Sequence, residues 1–138
     1  MSYGTRAEYR DGLAFDVRLQ GHDLTVDADA SAGGKGYGPT PKSLILSALA
    51  GCTGMDVAAI LGKMKMPFES FAVEVDGESA ESHPHVYTKV NVRYVFTGNE
   101  TDREKIEKAV KLSLTKYCPV AAMIKATAEL EYDIITEG

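Results

Sequence analysis

Residues 39–57 read PTPKSLILSALAGCTGMDV, and this stretch decides the fold. Thr40 suits an N-cap, and Pro41 is pre-set for the first helical position. The run predicts a helix from Pro41 to about Lys65, ended by Met66-Pro67. From Leu44 to Leu61 almost every turn is apolar on all sides. A helix apolar nearly all round is buried nearly all round. About 25 residues span roughly 37 Å, which is long for a single chain of 138 residues to enclose. A second copy covering the remaining side would bury it, so the helix points to an intimate homodimer. The same length would cross a membrane. Against a span stand Asp56, the dilution by Ser47, Thr53 and three glycines, and strand patterns on both sides.

Upstream, Leu13, Phe15, Val17 and Leu19 alternate with Ala14, Asp16 and Arg18, the pattern of a half-buried strand. Asp11-Gly12 and Gly21-His22-Asp23 are turn signals, and Leu24, Val26 and Ala28 alternate after them. Residues 5–30 therefore predict an antiparallel meander. Ser31 to Pro39 holds four glycines and is a loop. Its spacing is not that of a phosphate loop, because Gly36 follows Lys35 where a Walker motif needs Ser or Thr.

Downstream, Phe71, Val73 and Val75 mark a strand, and Val86 to Phe96 alternate as a longer one. Thr101-x-x-Glu104 is a capping-box signal for a second helix, with Ile106, Ala109, Val110, Ser113 and Leu114 as its apolar stripe. Pro119 opens a short helix to about Lys125 with Cys118 as its N-cap, and Ala128, Leu130, Tyr132 and Ile134 alternate as a last strand. Strands, long helix, strands, helices and strand read as an α+β fold with antiparallel sheet, in one domain over residues 1–138.

Composition bounds the function. Net charge is −5 with 20 acidic and 15 basic residues, which disfavours a nucleic-acid partner. Three histidines make a multi-histidine metal site hard to build, and His83-Pro84-His85 reads as a solvated turn. The first residues carry no apolar run, so no secretory signal is expected and a reducing cytoplasm is the expected compartment. Cys52 and Cys118 are the two cysteines, read there as free thiols or a redox couple.

Taken singly, each cysteine reads as a small buried hydrophobe. Gly51 and Gly54 beside Cys52 permit close approach of a backbone or substrate. Cys118, at a helix N-terminus before Pro119, gains dipole and amide support for a thiolate. Mid-helix Cys52 has no such help and needs a cation. Arg10, in Arg10-Asp11-Gly12, is preferred, while Arg6, Arg18 and Lys42 are not excluded by spacing.

The 39–57 stretch together with KYCPV at residues 116–120 resembles the OsmC/Ohr superfamily of hydroperoxide-reducing proteins, over about residues 5–135 and nearest its general OsmC-like branch. The resemblance implies an intertwined α+β homodimer, with antiparallel sheets packed around a long buried central helix. It implies a thiol peroxidase: Cys52 attacks the peroxide, Cys118 resolves the sulfenic acid as a Cys52–Cys118 disulfide, and an external dithiol reductant restores the pair. Arg10 matches the arginine that holds the thiolate. Organic hydroperoxides are the expected substrate, hydrogen peroxide a further one, with no metal, haem or flavin, no nucleic acid and no membrane. The peroxide-reducing members carry a glutamate ten residues before the cysteine to orient that arginine; here the position is Lys42, so Glu8 or Asp11 would have to serve. The alternative is a redox sensor or ligand-binding dimer using the same thiols without rapid turnover.

Overall fold

The first three strands form the expected meander in a computed structural model that describes residues 2–138. The chain divides into two compact units, one running to Ile45 and the other Leu46–Gly138. In the first unit, β1 (Thr5–Asp11), β2 (Ala14–Leu19) and β3 (His22–Val26) pair antiparallel in that order. The second turn falls one residue earlier than the sequence signal suggests, on Gln20 and Gly21, both at positive φ (51° and 80°). Two positive φ values in a two-residue loop match the twist of the flanking strands. The apolar face expected to be half-buried is open: Tyr9, Leu13, Phe15 and Leu19 are exposed and Ala14 is buried.

The glycine-rich loop is tied to a buried carboxylate. Asp27 accepts the N–H of Ala28 at 2.8 Å, of Lys35 at 2.9 Å and of Tyr37 at 3.3 Å, and its own N–H donates to the Pro39 carbonyl at 3.0 Å. A Cβ on Gly34 would lie 1.7 Å from the Ala28 oxygen, and one on Gly38 would lie 2.0 Å from the Thr25 oxygen. Both glycines are there because the loop backbone runs directly against the end of β3 (at Gly38) and the residues just after it (at Gly34).

Helix α1 (Pro41–Lys63) begins where expected, with Pro41 first and Ser43 donating to the Thr40 carbonyl. It is not buried all round. Only Leu49, Thr53, Val57 and Leu61 are buried, one residue per turn along a single stripe. Met55 is 75% exposed. The helix is long and apolar enough to cross a membrane by length and composition, yet this stripe packs into the core of the second unit.

That core is built on β4 (Ser70–Ser79), β5 (Tyr87–Thr97) and β6 (Glu129–Glu137), with β5 central. Val90, Val92, Tyr94 and Phe96 of β5 are fully buried, the two-residue period of a strand with one face on the core. The expectation of purely antiparallel sheet fails here: β4 pairs antiparallel with β5, but β6 pairs parallel with it. The reason lies in the connection. A parallel partner needs a crossover of a dozen or more residues, and α2 (Arg103–Leu112), a π turn (Ser113–Tyr117) and α3 (Pro119–Lys125) supply it.

The cap of α2 also differs. Asp102, not Thr101, is the N-cap and accepts from the Glu104 and Lys105 N–H groups, while Thr101 donates to the Gly98 carbonyl. The expected stripe of α2 is buried at Ile106, Ala109 and Val110, and Ser113 and Leu114 continue it into the π turn.

Candidate functional site

Cys52 sits on α1 one position before the buried Thr53 and is itself half-buried. Its helix neighbours Gly51 and Gly54 line a shallow apolar groove with Met55, Ala58, Phe71 and Val73; Cys52 itself is not among the lining residues. A Cβ on Gly54 would touch Val73 at 3.4 Å, so this glycine allows β4 to lie close to the helix. Leu49 and Val57, the large apolar residues near Cys52 on α1, face the core.

Cys118 is brought to the same place by the π turn. Its N–H donates to the Ser113 carbonyl at 2.8 Å, a bond spanning five residues that widens the helix by one residue before it ends. Cys118 then turns extended (φ −81°, ψ 106°), and its Sγ accepts the Ala121 N–H at 3.4 Å as the N-cap of α3. The N-cap position read from the sequence is therefore correct, and the cap amide favours the thiolate as expected, but the net shift runs the other way. Burial pushes the Cys118 thiol up to about 11, the Ala121 N–H opposes this, and a hydrogen bond toward Cys52 adds to it. The loss of hydration outweighs one amide contact. Cys118 is held as a thiol, in contact with Cys52, and both sulfurs are free.

Behind the two sulfurs lies a run of hydroxyls. Thr53 Oγ1 is 2.8 Å from Tyr94 Oη and 2.7 Å from Ser113 Oγ, and Ser113 Oγ donates to Asp56 Oδ2 at 2.9 Å. Thr53, Tyr94 and Ser113 are fully buried. Burial raises the Tyr94 phenol to about 12, and Cys118 is among the groups that add to it. Sequence reading missed all four residues. The spacing 49, 53, 57, 61 was the available signal, since it places Thr53 within an otherwise apolar buried stripe.

Arg10 belongs to the first unit, on β1. Its guanidinium lies 3.8 Å from Asp16 Oδ1 and 4.3 Å from the Tyr37 ring centroid. The carboxylate beside it is thus Asp16, where Glu8 and Asp11 had been weighed. The register explains this: Glu8 faces Asp16 and Tyr9 faces Phe15 across the β1–β2 pair, with an irregularity between Tyr9 and Asp11. Tyr37 owes its position to the Asp27 clamp on its N–H. Lys42 lies in the first turn of α1, which holds no acidic residue. Among the described residues no three His, Cys, Asp or Glu are grouped to hold a metal ion. His83 and His85 have ring centroids 4.2 Å apart in the β4–β5 connection.

Fold and site together define an α+β protein with a paired-thiol centre, one sulfur accessible from a core helix and the other buried at a helix cap. The family model described as OsmC-like protein matches residues 33–133, and the chain belongs to that family. Both cysteine motifs fall inside the match and Arg10 falls outside it. The chain is similar to protein YhfA of Escherichia coli strain K12, 29% identical over 133 residues that make up 94% of this chain and 96% of that protein. Among solved structures, a hypothetical protein from Aquifex aeolicus VF5 has a TM-score of 0.84 at 26% identity, covering 100% of this chain and 99% of its own. An organic hydroperoxide resistance protein OsmC from Legionella pneumophila shares the fold with a TM-score of 0.75 at 14% identity, covering 98% and 97%.

Proposed function

We propose that the protein is a thiol-dependent hydroperoxide reductase with Cys52 as the attacking sulfur and Cys118 as the resolving one. The observation that carries this reading is the contact between a half-exposed Cys52 and a buried Cys118 held in its thiol form. Cys52 as thiolate attacks the outer oxygen of ROOH. The O–O bond breaks, the alkoxide leaves and takes a proton as ROH, and Cys52 becomes a sulfenic acid. Cys118 sulfur then displaces the sulfenic hydroxyl. That hydroxyl leaves as water with the Cys118 proton. An external dithiol reduces the resulting disulfide by exchange. The chemistry requires no metal, haem or flavin.

Two features support an organic peroxide. Gly51 and Gly54, which neighbour Cys52 along α1, belong to a groove lined by apolar residues, and an alkyl or aryl tail loses hydration there. An organic hydroperoxide resistance protein also shares the fold. Arg10 enters this reading on its chemistry: a guanidinium suits the charge of a thiolate and of a leaving alkoxide. The exposed apolar side chains of α1 and of the β1–β2 face favour a homodimer, in which a second copy covers them. The reductive chemistry suits a cytoplasmic setting.

Consumption of cumene hydroperoxide with dithiothreitol as reductant tests the proposal. Turnover that vanishes in Cys52→Ser is expected. No turnover, or turnover unchanged in that variant, overturns it.

A further inference from the structure

Hydrogen-bond donors and acceptors can be counted through the hydroxyl run, because each hydroxyl has one proton. Ser113 gives its proton to Asp56. Its oxygen must therefore accept from Thr53. Thr53 has then spent its proton and must accept from Tyr94. The chain has a single direction, Tyr94 to Thr53 to Ser113 to Asp56, and it joins β5, α1 and the π turn. Its two middle members are each one step from a sulfur. Thr53 follows Cys52 on α1. The Ser113 carbonyl accepts the Cys118 N–H.

Nothing in ordinary packing demands hydroxyls here. A buried run of three costs hydration at every member and is neutral only if all bonds are made. What the run does is hold the π turn to the helix, through a residue that follows Cys52 and one whose carbonyl receives the Cys118 N–H. We infer that Thr53 and Ser113 are positioning residues for the thiol pair, their hydroxyls setting the approach of Cys118 sulfur to Cys52 sulfur. This rests on reading the two cysteines as a redox pair.

The test uses glutathione exchange, which needs no peroxide. Oxidised glutathione accepts two electrons from the two protein thiols; a Cys52–Cys118 bond forms, and two glutathione thiols leave with the two protons. The equilibrium constant for closing the bridge, read by mass spectrometry across a glutathione series, is expected to fall at least tenfold in Thr53→Val and in Ser113→Ala. Tenfold corresponds to about 30 mV for this two-electron couple. Thr53→Ser keeps the hydroxyl and loses a buried methyl, and it is expected to stay within twofold of the unmutated chain even where its melting temperature falls. Constants within twofold for all three variants overturn the inference, as does a fall in Thr53→Ser equal to that in Thr53→Val, which would assign the effect to packing. An unmutated chain that closes the bridge with glutathione yet consumes no cumene hydroperoxide overturns the peroxidase reading alone. One that closes no bridge overturns both.

Discussion

The Cys118 N–H donates to the carbonyl of Ser113, five residues back, at 2.8 Å. That bond ends one helical segment and leaves Cys118 extended to cap the next. Capping and redox roles then fall on one side chain and can be separated. Cys118→Ser keeps an N-cap oxygen, whereas Cys118→Ala removes the acceptor, and loss of an N-cap costs about 0.5–2 kcal/mol. Urea unfolding is expected to show the alanine variant less stable than the serine variant by about 1 kcal/mol, with the bridge lost in both. Equal stability of the two would show that the residue 118 side chain does not cap α3.

Burial is the largest cause of the high Cys118 value, ahead of its contact with Cys52. The shift therefore survives when Cys52 is replaced. In Cys52→Ser, absorbance of the remaining thiolate at 240 nm is expected to rise with a midpoint still above the ordinary 9.0, though lower than in the unmutated chain. A midpoint at the ordinary value would mean that Cys118 is hydrated in solution.

Alkaline pH reports on the core. Burial raises Tyr94 to about 12, and burial together with the bond from Tyr132 Oη to Glu107 Oε1 at 2.6 Å raises Tyr132 to about 12. A folded value above the unfolded 10.0 contributes stability that is whole below pH 10 and is lost as pH rises through 12. Urea midpoints are expected to fall across that window. Tyr94→Phe is expected to flatten the fall; a curve of unchanged slope in that variant would exclude Tyr94 as its source.

Acid pH reports on the loop. The Lys35 N–H foremost, with those of Ala28 and Tyr37, holds the Asp27 carboxyl below its ordinary 3.8, against the opposing effect of burial. A lowered folded value contributes stability present above the unfolded value and lost as pH falls through the folded one. Asp27→Asn is expected to remove that acid-side loss and to loosen Tyr37, seen as faster amide exchange at Lys35 and Tyr37. Protection of those amides unchanged in the variant would show that the carboxylate does not hold the loop.

Assembly follows from exposure. Met55 is 75% and Leu13 52% exposed, large apolar side chains that a lone chain leaves in water. Sedimentation is expected to give the mass of two chains, and Met55→Glu the mass of one. A monomer in the unmutated protein at micromolar concentration would reject the homodimer.

Local pattern accounts for what was legible beforehand. The alternation of β5, the proline starts of α1 and α3, the meander turns and the cysteine at a cap all rest on spacing within a few residues. The parallel pairing of β6 depends on where a crossover lands, and no periodicity in residues 128–134 records it. Thr101 and Asp102 are both good caps, and only backbone geometry chose between them. Asp16 became the neighbour of Arg10 through a cross-strand register set by the turn after β1. Ser113 was read as one more small residue on an apolar stripe, and its hydroxyl partners lie 57 and 60 positions away. The direction of the Cys118 shift was missed because the cap is local and the burial that outweighs it is not.

The stripe Leu49, Thr53, Val57, Leu61 carries one hydroxyl among three apolar residues. An all-apolar stripe would let a helix slide by a turn, about 5.4 Å, and still bury similar area. With Thr53 in place, a one-turn slip sets Leu49 or Val57 against the Tyr94 and Ser113 hydroxyls and strands them, at about 1–3 kcal/mol for each buried group left unmet. A single threonine thus indexes the helix along its axis, and every residue on it, Cys52 included, inherits its height from that one notch.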